Sequence, residues 1–187
     1  MRRLVWLVSG WLWLAGLGGG GWAHASILIN EVLADPGALS GDANGDGVIH
    51  TSQDEFVELV NTAINPVLLA GWSLSDGIGL RHTFAIDSVI PGVGFFVIFG
   101  GGSPQGFSSS ATASSGGLGL NNSGDTVTLR DDQMTVIDAF TYGAAGGMDV
   151  SLTRASDAVG SFVKHTSVAD TPFSPGSTVD GRATLVL

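Results

Sequence analysis

The sequence predicts an all-β fold, a sandwich or barrel of about nine short strands. Short apolar runs alternate with turn residues along most of the chain, and helical periodicity is nearly absent. Glycine, proline and aspartate punctuate those runs, with 29 glycines in 187 residues.

The strands follow in order. Ile27 to Leu33 is β-branched and apolar, and Phe56 to Val60 follows an acidic loop. Val67 to Leu74 carries Trp72, which is expected in the core, and Leu80 to Ala85 alternates around His82. Gly94 to Phe99 is one apolar run, as in a strand buried on both faces, and Thr126 to Leu129 alternates cleanly. Gly124-Asp125 is expected to turn a hairpin that places Val127 and Leu129 inward. Val136 to Tyr142, Val150 to Thr153 and Ser161 to His165 complete the set, with Phe140 and Tyr142 as core or strand-edge residues. Gly100 to Gly119, rich in glycine and serine, is expected as a flexible excursion. A linker there would leave two halves too small for separate cores, so one domain is expected.

The first 25 residues read as an export signal. Arg2 and Arg3 precede an apolar run from Leu4 to Leu17, Gly18 to Gly21 break it, and Ala23-His24-Ala25 forms a small-residue cleavage site before Ser26. Leu4 to Trp22 could nearly span a bilayer of about 30 Å as an anchor, but the glycines and the cleavage site favour removal. The expected location is secreted, periplasmic or on the cell surface. Removing 25 of 187 residues leaves 162 and, because Arg2 and Arg3 depart, takes the formal charge from −10 to −12. Trp72 is then the only tryptophan left. The tail 182–187 is too short to cross a membrane, so no span is expected after cleavage.

The charge balance disfavours nucleic acid, whose affinity rests on clustered Lys and Arg. Arg81, Arg130, Arg154, Lys164 and Arg182 are scattered among 17 acidic residues. There is no cysteine, so any cross-link in an exported domain falls to a metal.

A metal loop is written at Asp42-Ala43-Asn44-Gly45-Asp46-Gly47. Asp42, Asn44 and Asp46 stand at positions one, three and five, and Gly47 at six permits the sharp turn. Alternate oxygens then converge on one hard cation, with the Val48 carbonyl at position seven. Calcium is the expected ion. Position twelve, a bidentate glutamate in the ordinary loop, is Gln53, so Asp54 or Glu55 is expected to close the shell. An Asx-rich turn without metal suits the same composition.

Other chemistries find little support. His50, His82 and His165 share no zinc-ligand spacing, and no G-x-S-x-G elbow is present. With 17 acidic residues, chance carboxylate pairs carry no weight as glycosidase centres. No catalytic residue is assigned.

Several phrases fall in a family order. They are Ile29-Asn30-Glu31-Val32, Phe56-Val57-Glu58-Leu59-Val60-Asn61, Gly71-Trp72-Ser73-Leu74-Ser75-Asp76 and Leu120-Asn121-Asn122-Ser123-Gly124-Asp125-Thr126-Val127-Thr128-Leu129-Arg130-Asp131. Ser151-Leu152-Thr153-Arg154 and Pro172-Phe173-Ser174-Pro175-Gly176 end the series. Residues 26–181 resemble the lamin-tail domain of exported bacterial proteins, with an acidic insert at 42–55 and the flexible loop at 100–119. The resemblance implies an immunoglobulin-like β-sandwich and a non-catalytic binding or anchoring role. The partner expected is a protein or polysaccharide at the cell envelope. An accessory domain of an extracellular hydrolase or nuclease system, or a structural surface protein, are the alternatives.

Overall fold

The computed structural model describes residues 27–39 and 41–186, so the expected signal peptide, 1–25, lies outside the described residues. The first strands are β1 (Ile27–Leu33), β2 (Phe56–Asn61), β3 (Val67–Leu68), β4 (Ser73–Ser75), β5 (Leu80–Thr83) and β6 (Val89–Ile90). The rest are β7 (Phe95–Phe99), β8 (Ser110–Thr112), β9 (Asp125–Arg130), β10 (Val136–Tyr142), β11 (Leu152–Ser156) and β12 (Val159–Lys164). The described residues contain no α-helix. A six-stranded sheet runs β12-β11-β1-β2-β7-β8, a four-stranded sheet runs β10-β9-β4-β5, and β3 pairs with β6 as a ribbon. All pairings are antiparallel except β7 with β8.

Nine expected strands become twelve for local reasons. The run Val67 to Leu74 breaks where Trp72 donates its N–H to the Leu69 carbonyl and Gly71 takes φ +77°. β6 and β8, of two and three residues, are too short to show a period. Gly124 does turn, donating its N–H to the Asn121 carbonyl, but it enters β9 from irregular chain rather than closing a hairpin. Val127 and Leu129 point inward as expected, both at most 1 % exposed.

Alternation builds the core between the sheets. Ile27, Ile29, Val57, Leu59, Phe96 and Ile98 from the larger sheet meet Trp72, Leu74, Val127 and Leu129 from the smaller. A register shift in β1 between Ile29 and Glu31 changes which residues face inward. Beyond it, Val32 returns to the core and Glu31 stands directly opposite Glu58 of β2. One side of the sandwich closes where Asp138 of β10 accepts the Ile29 N–H at 2.9 Å and pairs with Arg154 at 3.1 Å. Phe140 stacks on Phe162 there, ring centroids 3.5 Å apart.

The second face of the larger sheet is covered too. All six residues of β2 are buried. Phe56, Val97, Phe99 and Leu33 form a further apolar cluster with Ala43, and Phe107 and Phe173 pack on it. Phe56 meets Phe99 and Phe173 edge-on at 5.9 and 6.4 Å. The covering residues come from three irregular segments: 41–55, 100–109 and 165–181. Within 100–119, expected as a flexible excursion, Gly100 and Gly101 donate N–H groups to the carbonyls of Glu55 and Gln53. The chain then forms β8. That stretch is built into the sheet and its cover.

Candidate metal centre

The loop between β1 and β2 is a chain of side-chain-to-backbone turns. Asp42 Oδ2 accepts the Gly47 N–H at 3.0 Å, Asn44 Oδ1 that of Asp46 at 2.9 Å, and Asp46 Oδ1 that of Val48 at 2.9 Å. Gly45 and Gly47 take φ of 71° and 85°, a region that L side chains resist. Asp54 ties the loop at both ends, accepting the Asn44 N–H at 3.0 Å and the His50 N–H at 2.7 Å.

A second loop docks on the first. Ser103 N–H donates to Asp46 Oδ2 at 2.9 Å, Gln105 N–H to the Asn44 carbonyl at 2.9 Å, and Asn44 Nδ2 to the Gly101 carbonyl at 3.3 Å. Gly102 lies so close that a side chain there would collide with Asn44 and Asp46. These backbone donors, Ser103 first and then Val48, hold the Asp46 carboxyl below its ordinary pKa. Its anchoring of the second loop is therefore present above the ordinary aspartate range. It fades as pH falls through the depressed value.

The six residues named from sequence divide. Asp42, Asn44, Asp46 and Asp54 gather in the loop, with Val48 on its exposed rim. Glu55 turns to the opposite side of the strand entry, where its Oε2 accepts the Leu120 N–H at 3.3 Å. Burial lifts its pKa to about 7, tempered by the Leu120 and Gly119 N–H groups and by Arg81. Among the described residues no three His, Cys, Asp or Glu side chains form a metal-holding group. The loop offers instead the Asp42 and Asp46 carboxylates, the Asn44 amide and the Val48 carbonyl, with both oxygens of the third carboxylate, Asp54, taken by the Asn44 and His50 N–H groups. One of those oxygens, Asp42 Oδ1, is buried without a donor. All-oxygen ligands of low charge suit a hard cation held weakly, and not zinc.

A polar cluster of a different kind lies beside the loop on the same sheet. Glu31 accepts from Ser151 Oγ at 2.6 Å, Ser174 N–H at 3.0 Å and Ser174 Oγ at 2.9 Å. Glu58 accepts from Asn30 Nδ2 at 2.8 Å and Gly176 N–H at 2.6 Å. Asp157 accepts from Asn30 Nδ2 at 3.1 Å and Val179 N–H at 3.0 Å. His165 sets Nδ1 against the Thr171 carbonyl at 2.7 Å and Nε2 against Ser174 Oγ at 2.9 Å. Both glutamates are wholly buried, which raises the Glu31 pKa above its ordinary value. Glu58 is lifted well above it, by burial and then by the charge of Glu31.

The Ser174–His165 distance is that of a hydrolytic dyad, but the surroundings differ. Glu31 Oε2 competes for the serine proton at the same 2.9 Å. The nearby N–H groups of Ser174, Gly176 and Ser177 are already bonded, so these donors are not free to stabilise an oxyanion.

A family model described as Lamin Tail Domain matches residues 22–144, well over half of the chain. The chain belongs to the lamin tail domain family. Its two packed sheets are the immunoglobulin-like sandwich of that family. A search among curated proteins finds no match. The lamin-tail match includes the acidic loop and ends before β11, so the segment that answers Glu31 and Glu58 lies beyond it.

Sequence reasoning missed this polar cluster. Glu31 and Glu58 stand inside otherwise apolar strand runs, and no neighbour in the sequence supplies their partners. The available signal was Pro172 to Gly176, a turn phrase that supplies backbone N–H groups, but nothing local says where it docks.

Asp54 is the test of the loop's construction. Asp54→Ala is expected to leave the buried Asn44 N–H without its acceptor, costing about 1–3 kcal/mol for that group alone. Urea denaturation in a chelator, followed by Trp72 fluorescence, measures it. An unchanged midpoint would show that Asp54 does not hold the loop.

Proposed function

We propose that this lamin-tail domain is an exported, non-catalytic binding or anchoring module whose Asp42–Asp54 loop takes calcium. The observation that carries the metal reading is Asp42. One oxygen holds the turn through Gly47 while the other, Oδ1, is buried with no donor. Asn44 and Asp46 each keep lone pairs after their backbone bonds, and the Val48 carbonyl follows at the expected position. Calcium bound there would neutralise the carboxylates and rigidify the loop, while Asp54 positions its backbone. Glu55 takes no part, because its carboxyl belongs to the Leu120 side.

Export is supported by the charged start, the apolar run and the Ala23-His24-Ala25 site. β1 begins at Ile27, one residue past the expected first residue Ser26, so cleavage leaves the sandwich whole. The non-catalytic reading is supported by the compromised Ser174–His165 pair and the family's known character as an interaction module. The partner is a protein or polysaccharide of the cell envelope, since scattered cations disfavour nucleic acid.

Secreted protein is expected to begin at Ser26 on N-terminal sequencing, and material retaining Trp22 in the membrane would contradict export. For the metal, a cation bound only by the folded form at a hundredfold excess over Kd adds about 2.7 kcal/mol. At this size that is a melting shift on the order of 5 °C or more between chelator and calcium. Gln53 at position twelve places Kd in the weak extracellular range, roughly 10⁻⁴ to 10⁻³ M. Asp42→Asn keeps an oxygen for Gly47 and removes the charge, so it should abolish the shift while leaving the chelated melting point in place. A wild-type melting point indifferent to calcium at a hundredfold excess over that Kd, roughly 10 to 100 mM, would end the metal reading.

A further inference from the structure

The cluster that holds residues 165–181 to the sheet has an incomplete proton count. His165 Nδ1 faces a carbonyl oxygen and must carry hydrogen. Ser174 Oγ then stands 2.9 Å from both His165 Nε2 and Glu31 Oε2, with a single hydroxyl proton between two acceptors. One further proton completes the chain in either of two ways. Nε2 holds it and donates to Ser174, which donates to Glu31. Alternatively, the Glu31 carboxyl holds it and donates to Ser174, which donates to Nε2. Without that proton, one of the two contacts sets lone pair against lone pair.

Directly across the strand pair, Glu58 faces Glu31, and like charges at such a position repel. The other groups facing the pair are Asp157, from the β11–β12 turn, and His165. Arg154 is engaged with Asp138, and Arg182 with Asp180. Among the described residues no salt bridge reaches either glutamate. Yet Ser174 and Gly176, the residues that answer them, belong to the covering segment rather than the sheet.

We propose that residues 165–181 form a proton-operated clasp: the Glu31–Ser174–His165 chain and the facing Glu58 hold the segment while protonated and release it when deprotonated. The direction follows from burial. Both glutamates have raised pKa values in the folded chain, so the folded form binds more protons than the unfolded one. Their contribution is fully present below the ordinary glutamate value of about 4.3 and is lost as pH rises through the folded values. Release would expose the Phe173 side chain and uncover Phe56, turning a buried face into an accessible apolar surface. The inference concerns the clasp alone and does not depend on calcium.

Amide hydrogen exchange of the whole chain tests it, because the readout is local. After correction for the intrinsic pH dependence of exchange, the Ser174, Gly176 and Val179 amides are compared with those of β9 at pH 5 and pH 9. Protection of the three clasp amides should fall at least about tenfold relative to β9, one proton's worth over one pH unit. Equal relative protection at both pH values would overturn the proposal. Glu58→Gln removes one ionisable partner while keeping an acceptor oxygen, and should flatten the dependence. A folded Gln variant that keeps the full wild-type dependence would also overturn it, and the wild-type comparison decides alone if the variant does not fold.

Discussion

Burial of β2 on both faces is the constraint on which the rest of the structure depends. One face, carrying Val57 and Leu59, joins the inter-sheet core as any sandwich strand does. The opposite face carries Phe56 and Glu58, one strongly apolar and one ionisable, and neither tolerates being left bare or dry without help. The smaller sheet cannot reach that side. Irregular chain must cover it, and three segments do. Each had to acquire the chemistry of the residue beneath it. Over Phe56 lie Ala43, Phe107 and Phe173. Over Glu58 and its neighbour Glu31 lie N–H and hydroxyl donors from Ser174 and Gly176.

This shared cover links features that are distant in sequence. The acidic loop buries Ala43 in the same apolar cluster that receives Phe107 and Phe173, so the candidate metal loop, its docking loop and the C-terminal segment rest on one floor. Asp46 and Asn44 face two ways, inward to their own turns and outward to Gly101 and Ser103. A change in the order of the acidic loop is thereby felt by the loop after β7. The buried carboxylates act differently. In the proposed clasp they hold the cover while the protons they share with Ser174 and His165 are present, because a buried anion left without such a partner is costly.

Much of the sandwich was legible in the sequence because period-two alternation is a local signal. Thr126 to Leu129 declares itself that way, while Ile27 to Leu33 and Phe95 to Phe99 show as short apolar, β-branched or aromatic runs between turn residues. The acidic loop was legible because its turns are made by side chains bonding two residues ahead, a spacing written in the chain. What failed to show were contacts closed by distant segments. Glu55 and Asp54 are adjacent, and only the fold sends one to Leu120 and the other to Asn44 and His50. Glu31 and Ser174 are 143 residues apart, and no local pattern reveals that one will answer the other. The glycine- and serine-rich composition of 100–119 suggested slack. In the fold Gly100, Gly101 and Gly102 permit close approach instead, as Gly102 does against Asn44, while Gly106, Gly116 and Gly117 border open space.

The central claim is that irregular chain, and not the second sheet, completes the burial of β2. Ending the chain after Lys164 tests it most directly, since β12 is kept while the covering segment 165–181 is lost, together with the tail whose Leu185 N–H bonds the Val93 carbonyl. Equilibrium urea denaturation followed by Trp72 fluorescence should show a loss of several kcal/mol, on the order of the bonded groups removed from buried carboxylates, or no cooperative transition at all. A truncated chain with the midpoint and slope of the full one would contradict the account.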